Sequence, residues 1–501
     1  MTQIAAAAPE AHGASPDQVA SALRGDLGVP RTSFQMLAAL GAALTVAATF
    51  TTAFGVTGLI AVPATCIVST FVLAVFAAGY LAMGRRVQNS GAFYALIGTG
   101  LGRPAGVAAA LVAQCGYLAM QVSLYGVMGV QFSAFIAENT HGTMHVVPPW
   151  WGCALAVWAL VFALGLTPIK VSTTFLGVLS IAEVLVTLAI SIVGLAHPHA
   201  GLHLAPLNPA RITWQGFGPL SAIVVLGFLG FEQALVLIEE TKDRVLTPLR
   251  ATRLLLVIAA VTYIAGSYAM VSFYGPAGLV QAALQQGPEA FFAMAPGPLG
   301  ATGNTLFNTS LLAAAVAYHN VVVRSCYSIA RDKVLPNFFA RVWPSSGVPW
   351  VASLGVSLAG LVAILATQWS NWDPMYGLFY EFSNVGGYVI MSLLAVTAVA
   401  VIAHFLRNPD GERAAVRLWL PVLAAIGLAI MAVACTANLK TLMGPHASSA
   451  AVHLVLALLA AVVVISAGRS AYLKYRHPET YAHLAGPRPR IPLTAPIGAE
   501  A

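Results

Sequence analysis

Long apolar runs separated by short polar stretches extend from about residue 35 to residue 468. A helix that crosses the hydrocarbon core of a bilayer needs about 20 mainly apolar residues. Stretches of that length, called segments 1 to 12 in chain order, lie at roughly 35–54, 58–82, 105–137, 149–168, 172–196, 215–238, 252–274, 303–329, 348–367, 380–405, 416–437 and 448–468. The pattern predicts an all-α integral membrane protein with about twelve transmembrane helices.

Polar sequence flanks this apolar region on both sides. Residues 1–33 are rich in alanine and lack the basic start and the apolar core of a signal peptide. We predict a flexible cytoplasmic tail over residues 1–33, a twelve-helix membrane domain over 34–468 and a second cytoplasmic tail over 469–501.

The charge distribution supports this layout and gives it a direction. Charged residues make up only 8% of the chain, whereas soluble domains contain about 25%. With both tails in the cytoplasm, all but two of the 24 Lys and Arg residues lie on the cytoplasmic side, the exceptions being Arg211 and Lys440. This bias follows the positive-inside rule and predicts a multi-pass protein of the cell membrane. It also explains the net charge of +7 without a nucleic-acid partner.

No catalytic or metal-binding pattern is recognisable in the sequence. The five cysteines lie singly in apolar segments without CxxC spacing, so neither a zinc site nor a disulfide framework is predicted. Neither GxSxG nor a Ser/His/Asp arrangement is present, and Gly98–Gly102 follows no strand, as a nucleotide-binding loop would. We therefore predict no enzyme activity, no cofactor and no metal.

Three acidic residues lie in or beside apolar segments, where a charge is costly. Glu183 lies in segment 5 and Glu232 in segment 6, while Glu381 lies at the edge of segment 10, where an interfacial position explains it. Acids inside a membrane usually face a cavity or a partner. Glu183 and Glu232 are therefore functional candidates, with a structural hydrogen bond between helices as the alternative.

Two segments contain residues that favour a break in the helix. In segment 6, Gly227 and Gly230 come just before Glu232; such glycines weaken a helix, although the spacing also suits a close helix–helix contact. Segment 1 has a comparable run of small and β-branched residues after Gly41. Each segment begins a group of five, and paired breaks at matching positions indicate a transporter site built from inverted repeats.

Segment 3 carries a polar and aromatic stripe. Its members are spaced by three or four residues and therefore share one helical face: Gln114, Tyr117, Gln121 and Tyr125. Such a face lines a cavity or contacts another helix. Tyr117 and Gln121 are taken as candidate ligand-binding residues.

Three stretches resemble motifs of the amino acid–polyamine–organocation permeases. They are the loop after segment 2, from Gly84 to Tyr94 and on to Pro104; segment 6 and its exit, from Gly227 to Asp243; and the end of segment 8 with the following loop, from His319 to Pro336 and on to Pro349. The three occur in the family's order and at the corresponding segments. With the twelve-segment layout, the resemblance covers about residues 33–468.

The resemblance implies a five-plus-five inverted repeat with substrate between broken segments 1 and 6. Amide groups of segment 1 would receive a substrate carboxylate, at Ala43, Leu44, Thr45, Val46, Ala47 and Ala48. Carbonyl groups of segment 6 would receive its amine, at Leu226, Gly227, Phe228, Gly230 and Phe231. The chain departs from the family in lacking a Gly-Ser-Gly run in segment 1. It also has Ser180 where a segment 5 lysine often stands, which leaves Glu183, with Glu232 in reserve, as the group for proton coupling.

These observations favour a secondary active transporter that carries amino acids, with the proton as coupling ion and sodium as the alternative. A permease or exchanger for polyamines or other amines stays open, because intramembrane acids suit a cationic substrate. A non-transporting membrane receptor or subunit is the hypothesis from another class. The predicted partners are a small-molecule substrate and the lipid bilayer.

Overall fold

A computed structural model of the protein describes residues 27–139, 147–167, 169–199, 201–343, 346–409, 411–444 and 447–486. Most of the predicted first tail and residues 487–501 of the second lie outside these ranges. Throughout the described ranges the regular structure is helical, apart from one isolated backbone bridge between Leu27 and Thr241. The prediction of an all-α membrane protein is confirmed.

Ten of the described helices are long and apolar enough to cross a membrane: Val29–Thr57, Val62–Val87, Arg103–Ala137, Gly177–Ala196, Leu246–Gln286, Pro298–Arg331, Trp350–Trp369, Pro374–Arg407, Ala415–Ala437 and Ser449–Arg476. Two shorter apolar helices, Trp150–Gly165 and Trp214–Phe228, coincide with segments 4 and 6. The helix of segment 5 begins earlier, at Ile169. Every predicted segment therefore corresponds to an apolar helix.

Segments 1 and 6 are both interrupted, as their sequences predict. Segment 1 is helical over Val29–Leu40, turns at Gly41 with φ 52°, and continues as a π-helix over Leu44–Phe50 and an α-helix over Thr51–Thr57. Segment 6 is helical over Trp214–Phe228 and resumes as short turns over Gln233–Val236 and Ile238–Glu240. Between them, Gly230 has φ 131°. Glycine takes these positive φ values without a steric penalty.

The remaining helices differ from the predicted segments mainly at their ends. Segment 7 is merged with a following helix across a kink at Gly275, and a short helix over Glu289–Phe292 lies in the next connection. Segment 10 begins with a π-helix over Pro374–Glu381, and segment 11 with one over Ala415–Trp419. The connection between segments 2 and 3 contains a helix over Phe93–Leu101.

Burial distinguishes central from peripheral segments. The most apolar windows of segments 1 and 8 are 89% and 83% buried, compared with 6% for segment 12. Segment 1 packs against segments 5, 7 and 8, and segment 3 packs against segments 8 and 10. The two broken segments therefore meet in the interior of the bundle, and segment 12 lies at its edge.

The end of the described chain packs against the connection between segments 2 and 3. The helix of segment 12 continues to Arg476, inside the predicted tail, and a short helix follows over Pro478–His483. The next residues hydrogen-bond to that connection: the amide of Ala485 donates to the Tyr94 hydroxyl over 2.8 Å, and the Asn89 amide group donates to the Gly486 carbonyl over 2.8 Å. This end of the bundle also carries most of the arginines and is called the basic end.

Candidate substrate site

The break in segment 1 is stabilised by a carboxylate from segment 5. A helix that restarts after a turn exposes amide groups without helical partners. The amide of Ala43, two residues after Gly41, donates to Oε1 of Glu183 over 2.5 Å. Glu183 is only 2% exposed. Its buried carboxylate therefore acts as the hydrogen-bond acceptor for the start of the second part of the broken helix.

A tyrosine from segment 7 joins the two breaks. The Tyr263 hydroxyl donates to the carbonyl of Gly227 over 2.6 Å and lies 3.1 Å from Oγ1 of Thr45 and 3.3 Å from the carbonyl of Leu40. Its ring packs edge-on against Phe228. Tyr263 therefore holds together the end of the first half of segment 6 and the turn of segment 1. The sequence analysis missed it, although buried tyrosine hydroxyls in apolar surroundings usually have a partner.

Glu232 stabilises the second break from within segment 6. One carboxylate oxygen accepts from the amide of Gly230 over 2.8 Å, and the other accepts from the Tyr117 hydroxyl over 3.0 Å. The Tyr80 hydroxyl donates to the backbone carbonyl of Glu232 over 2.9 Å. This set of partners favours the structural role for Glu232 and binds segments 2 and 3 to segment 6.

A small cavity lies between the two breaks and segments 3, 8 and 10. Its volume is about 40 Å³, well below the roughly 300 Å³ of the smallest typical ligand pockets, so the site is closed in this conformation. It is lined by Ala39, Leu40, Leu44, Thr45, Thr49, Met120, Ser123, Leu124, Leu226, Gly227, Tyr318, Phe379 and Ser383.

The lining is apolar with a few hydroxyl groups. None of these lining residues, all within the described part of the chain, has a charged side chain. The hydroxyls of Ser123 and Ser383 donate to nearby carbonyls of their own helices. Those of Thr49 and Tyr318 hydrogen-bond to none of the described residues, so they are available to a ligand.

Four of the predicted site residues line this cavity, namely Leu44, Thr45, Leu226 and Gly227. The structure places the others nearby but in packing roles. Val46 fills the space beside Gly266, Phe231 packs against Phe76 and Tyr80, and Gln121 donates to Tyr125. The other six are buried without lining the cavity: Ala43, Ala47, Ala48, Tyr117, Phe228 and Gly230.

The family description "Amino acid permease" matches residues 32–466 of the sequence. The chain belongs to this permease family. It is thus an amino acid–polyamine–organocation superfamily permease, a non-enzymatic secondary transporter embedded in a membrane. No curated protein matches the sequence significantly.

Solved structures similar to the permease include those of a manganese transporter from Eremococcus coleocola. Its complex with an aromatic bis-isothiourea substituted compound has a TM-score of 0.53 and 12% identity, covering 90% of this chain and 95% of that one. A glutamate-to-alanine variant of the same transporter has a TM-score of 0.52 and 12% identity, covering 94% and 97%. At such low identity the likeness concerns the fold alone.

Ion pairs join segments 6 and 8 at the basic end, and together with the amide of Ser90 they connect the three stretches that carry the family resemblance. Arg331 binds Glu239 through two hydrogen bonds of 2.9 and 3.1 Å, and Arg324 binds Glu240 over 2.5 Å. The amide of Ser90 donates to Glu239 over 2.9 Å. Burial alone would raise the pKa of Glu239, but the Arg331 guanidinium and these hydrogen bonds outweigh it and lower that pKa to about 2.

Proposed function

We propose that the permease carries a small neutral amino acid across the cell membrane and that Glu183 couples this transport to protons. The uncharged cavity between the breaks of segments 1 and 6 is the observation that carries the proposal. A zwitterion presents an amine and a carboxylate, which match the free carbonyl and amide groups of broken helices. Its side chain would meet Leu124, Leu226 and Phe379, with the Thr49 and Tyr318 hydroxyls beside them.

The contact between Glu183 and Ala43 suggests how proton and substrate are linked. A substrate carboxylate that binds the amide groups of segment 1 competes with Glu183 for the amide of Ala43. Two carboxylates at one place repel each other, and protonation of one removes the repulsion. A proton on Glu183 therefore favours substrate binding, and its loss restores the bond to Ala43 and expels the substrate.

The cavity lining favours an amino acid over the other cargo types. A polyamine needs carboxylates near its ammonium groups, and Mn²⁺, the cargo named for the similar transporter, prefers oxygen ligands such as carboxylates. Glu183 and Glu232 lie near the cavity, but neither lines it. Hydroxyl groups and apolar walls suit a small neutral side chain instead.

Uptake by proteoliposomes tests the proposal. The purified permease should accumulate a small neutral amino acid when a pH gradient is imposed, and a sodium gradient should not replace it. Unlabelled alanine or serine should compete, whereas arginine, putrescine and Mn²⁺ should not. Accumulation driven by sodium, or competition by putrescine or Mn²⁺, would contradict the proposal. Binding without uptake would indicate a receptor.

A variant inside the cavity adds a structural control. A Cβ atom at Gly227 would come within 2.5 Å of Cγ2 of Thr45, so Gly227→Ala should disturb the site and lower uptake. At Gly468, in segment 12, a Cβ atom meets nothing within 4 Å. Gly468→Ala should therefore transport like the unchanged protein. Equal uptake by both variants would remove the cavity from the mechanism.

A further inference from the structure

A groove of about 580 Å³ opens between segments 2, 7 and 11, away from the central cavity. Its walls are small and apolar, and its charged residues lie toward the basic end. The lining residues come from one face of segment 2, from the helix of segment 7 with the residue before it, and from the start of segment 11 with the connection before it: Ala74, Ala77, Ala78, Leu81, Ala82 and Arg85; Val245, Leu249, Arg253, Leu256 and Val257; and Glu412 and Val416.

The groove has the length of one bilayer leaflet. From Ala74 to Arg85 the helix of segment 2 rises by about 16 Å at its standard rise per residue. This is about half of the roughly 30 Å hydrocarbon core. The four alanines on this face leave a trough wide enough for a hydrocarbon chain, whereas larger side chains would fill it.

Arg253 is the residue that defines what the groove binds. It is exposed, and it adjoins the exposed residues Leu254, Val257 and Val261, which form an outward apolar stripe on segment 7. It makes no ion pair with any residue that the structure describes. An arginine on a lipid-facing surface is costly unless its charge reaches an anionic group.

The charges around the groove are unbalanced. Glu412 pairs with both Arg85 and Arg86. Arg253 adds a third guanidinium group, which has no carboxylate partner among the described residues. Basic pockets between transmembrane helices on the cytoplasmic side are suited to anionic lipid head groups.

We propose that this groove binds an anionic phospholipid, with its phosphate at Arg253 and Arg85 and an acyl chain along the alanines of segment 2. The occupant comes from the leaflet at the basic end. The site is separate from the substrate cavity, so it stands whether or not the proposed cargo is correct.

Lipid titration of the delipidated, full-length permease in detergent tests this site by native mass spectrometry. Phosphatidylglycerol should bind more tightly than phosphatidylcholine with the same chains. Arg253→Gln should weaken phosphatidylglycerol binding about five-fold, the effect expected for one basic residue, and Arg253→Lys should retain most of it. Arg250→Gln, which removes an exposed arginine outside the groove, should leave binding unchanged.

A second pair of variants tests the acyl-chain trough. Ala78→Phe should fill it and weaken phosphatidylglycerol binding, whereas Ile465→Phe, on the outward face of segment 12, should not. Equal binding of the two lipids, or equal effects of Arg253→Gln and Arg250→Gln, would overturn the proposal. So would competition by glycerol 3-phosphate, because a soluble anion would then suffice.

Discussion

Glu183 and Tyr263 hydrogen-bond to backbone groups that the two helix breaks expose, namely the amide of Ala43 and the carbonyls of Leu40 and Gly227. Inside a membrane such groups have no water to bind, and leaving one unpaired costs several kcal/mol. Both side chains are buried, and both come from segments other than the ones they stabilise. In the mechanism proposed above, a substrate carboxylate displaces one of these two residues, Glu183, from the amide of Ala43.

The first prediction concerns Tyr263. Tyr263→Phe keeps the ring against Phe228 but leaves the carbonyl of Gly227 without its donor, so we expect the unfolding free energy to fall by about 1–2 kcal/mol. Tyr268→Phe is the matched control, because Tyr268 is only partly buried and, among the described residues, hydrogen-bonds to the carbonyl of His203 alone. Chemical unfolding in detergent measures both. Equal midpoints would mean that Tyr263 contributes no more than a surface tyrosine.

The second prediction concerns Glu183. In Glu183→Gln the side-chain oxygen can still accept from the amide of Ala43, so the variant should fold, bind substrate and exchange it across the membrane. It cannot lose a proton, and uptake driven by a pH gradient should therefore be lost. Glu232→Gln should retain gradient-driven uptake if it folds, because the hydrogen bonds of Glu232 to Gly230 and Tyr117 favour a structural role. Intact gradient-driven uptake in Glu183→Gln would reject the coupling role.

The sequence revealed the unusual residues of this site but not their partners. Glu183 and Glu232 were recognisable because an acid inside an apolar segment is rare. Tyr263 was not, because its role depends on positions that lie 36 and 218 residues away in the chain. The two glycines of segment 6 also have different roles. Gly227 lines the cavity, whereas Gly230 lies against the backbone of segment 1 and needs its positive φ. No periodicity distinguishes these two roles.

At the scale of elements, the basic end is held by ion pairs between segments 6 and 8. Glu239 and Arg331 are both almost fully buried, so breaking the pair leaves a buried charge without a partner. Separation of segments 6 and 8 at this end would break both ion pairs.

The third prediction is a pH dependence of stability. The pKa of Glu239 falls from its ordinary value of 4.5 to about 2 in the folded protein. A lowered pKa stabilises the fold fully above pH 4.5, and that contribution is lost as the pH falls from 4.5 toward 2. Glu239→Gln should be less stable at neutral pH and should lose this part of the acid dependence. Unfolding midpoints against pH measure it, with the exposed Glu479→Gln as control.

Helices were predictable from hydropathy, but their irregular parts were not. The apolar runs fix where helices lie, because each must satisfy its own backbone in lipid. Hydropathy does not distinguish the π-helical starts of segments 10 and 11 from the first turns of an α-helix. The helix of segment 12 continues past the predicted end of the segment, to Arg476. Hydropathy does not predict this continuation, because Lys474 and Arg476 are typical of a polar tail.

At the scale of the whole molecule, the fourth prediction concerns orientation. On a cysteine-free background, Leu101→Cys should react with an impermeant thiol reagent only from the cytoplasmic side. Gln285→Cys should react only from outside. Both positions are exposed, and four of the five natural cysteines are buried. Labelling of both from one side would contradict the charge-based topology.

The fifth prediction concerns the docked end of the chain. Removal of residues 477–501 should expose the connection between segments 2 and 3, because Tyr94 and Asn89 lose their partners there. Hydrogen exchange over residues 88–103 should then become faster. Removal of residues 487–501 alone should leave exchange unchanged. Equal exchange in the two truncated proteins would show that residues 477–486 do not stabilise this connection.

The contact between Tyr94 and Ala485 can form only late in the synthesis of the chain. The two residues are 391 positions apart, so the ribosome has made nearly the whole bundle before they can meet. Until then the apolar surface formed by Tyr94, Val107 and Ile329, which Leu484 and Ala485 cover in the finished protein, is exposed at the basic end. A nascent or truncated chain that lacks Leu484 and Ala485 therefore displays a hydrophobic patch that chaperones and proteases can recognise, and docking of these residues covers it.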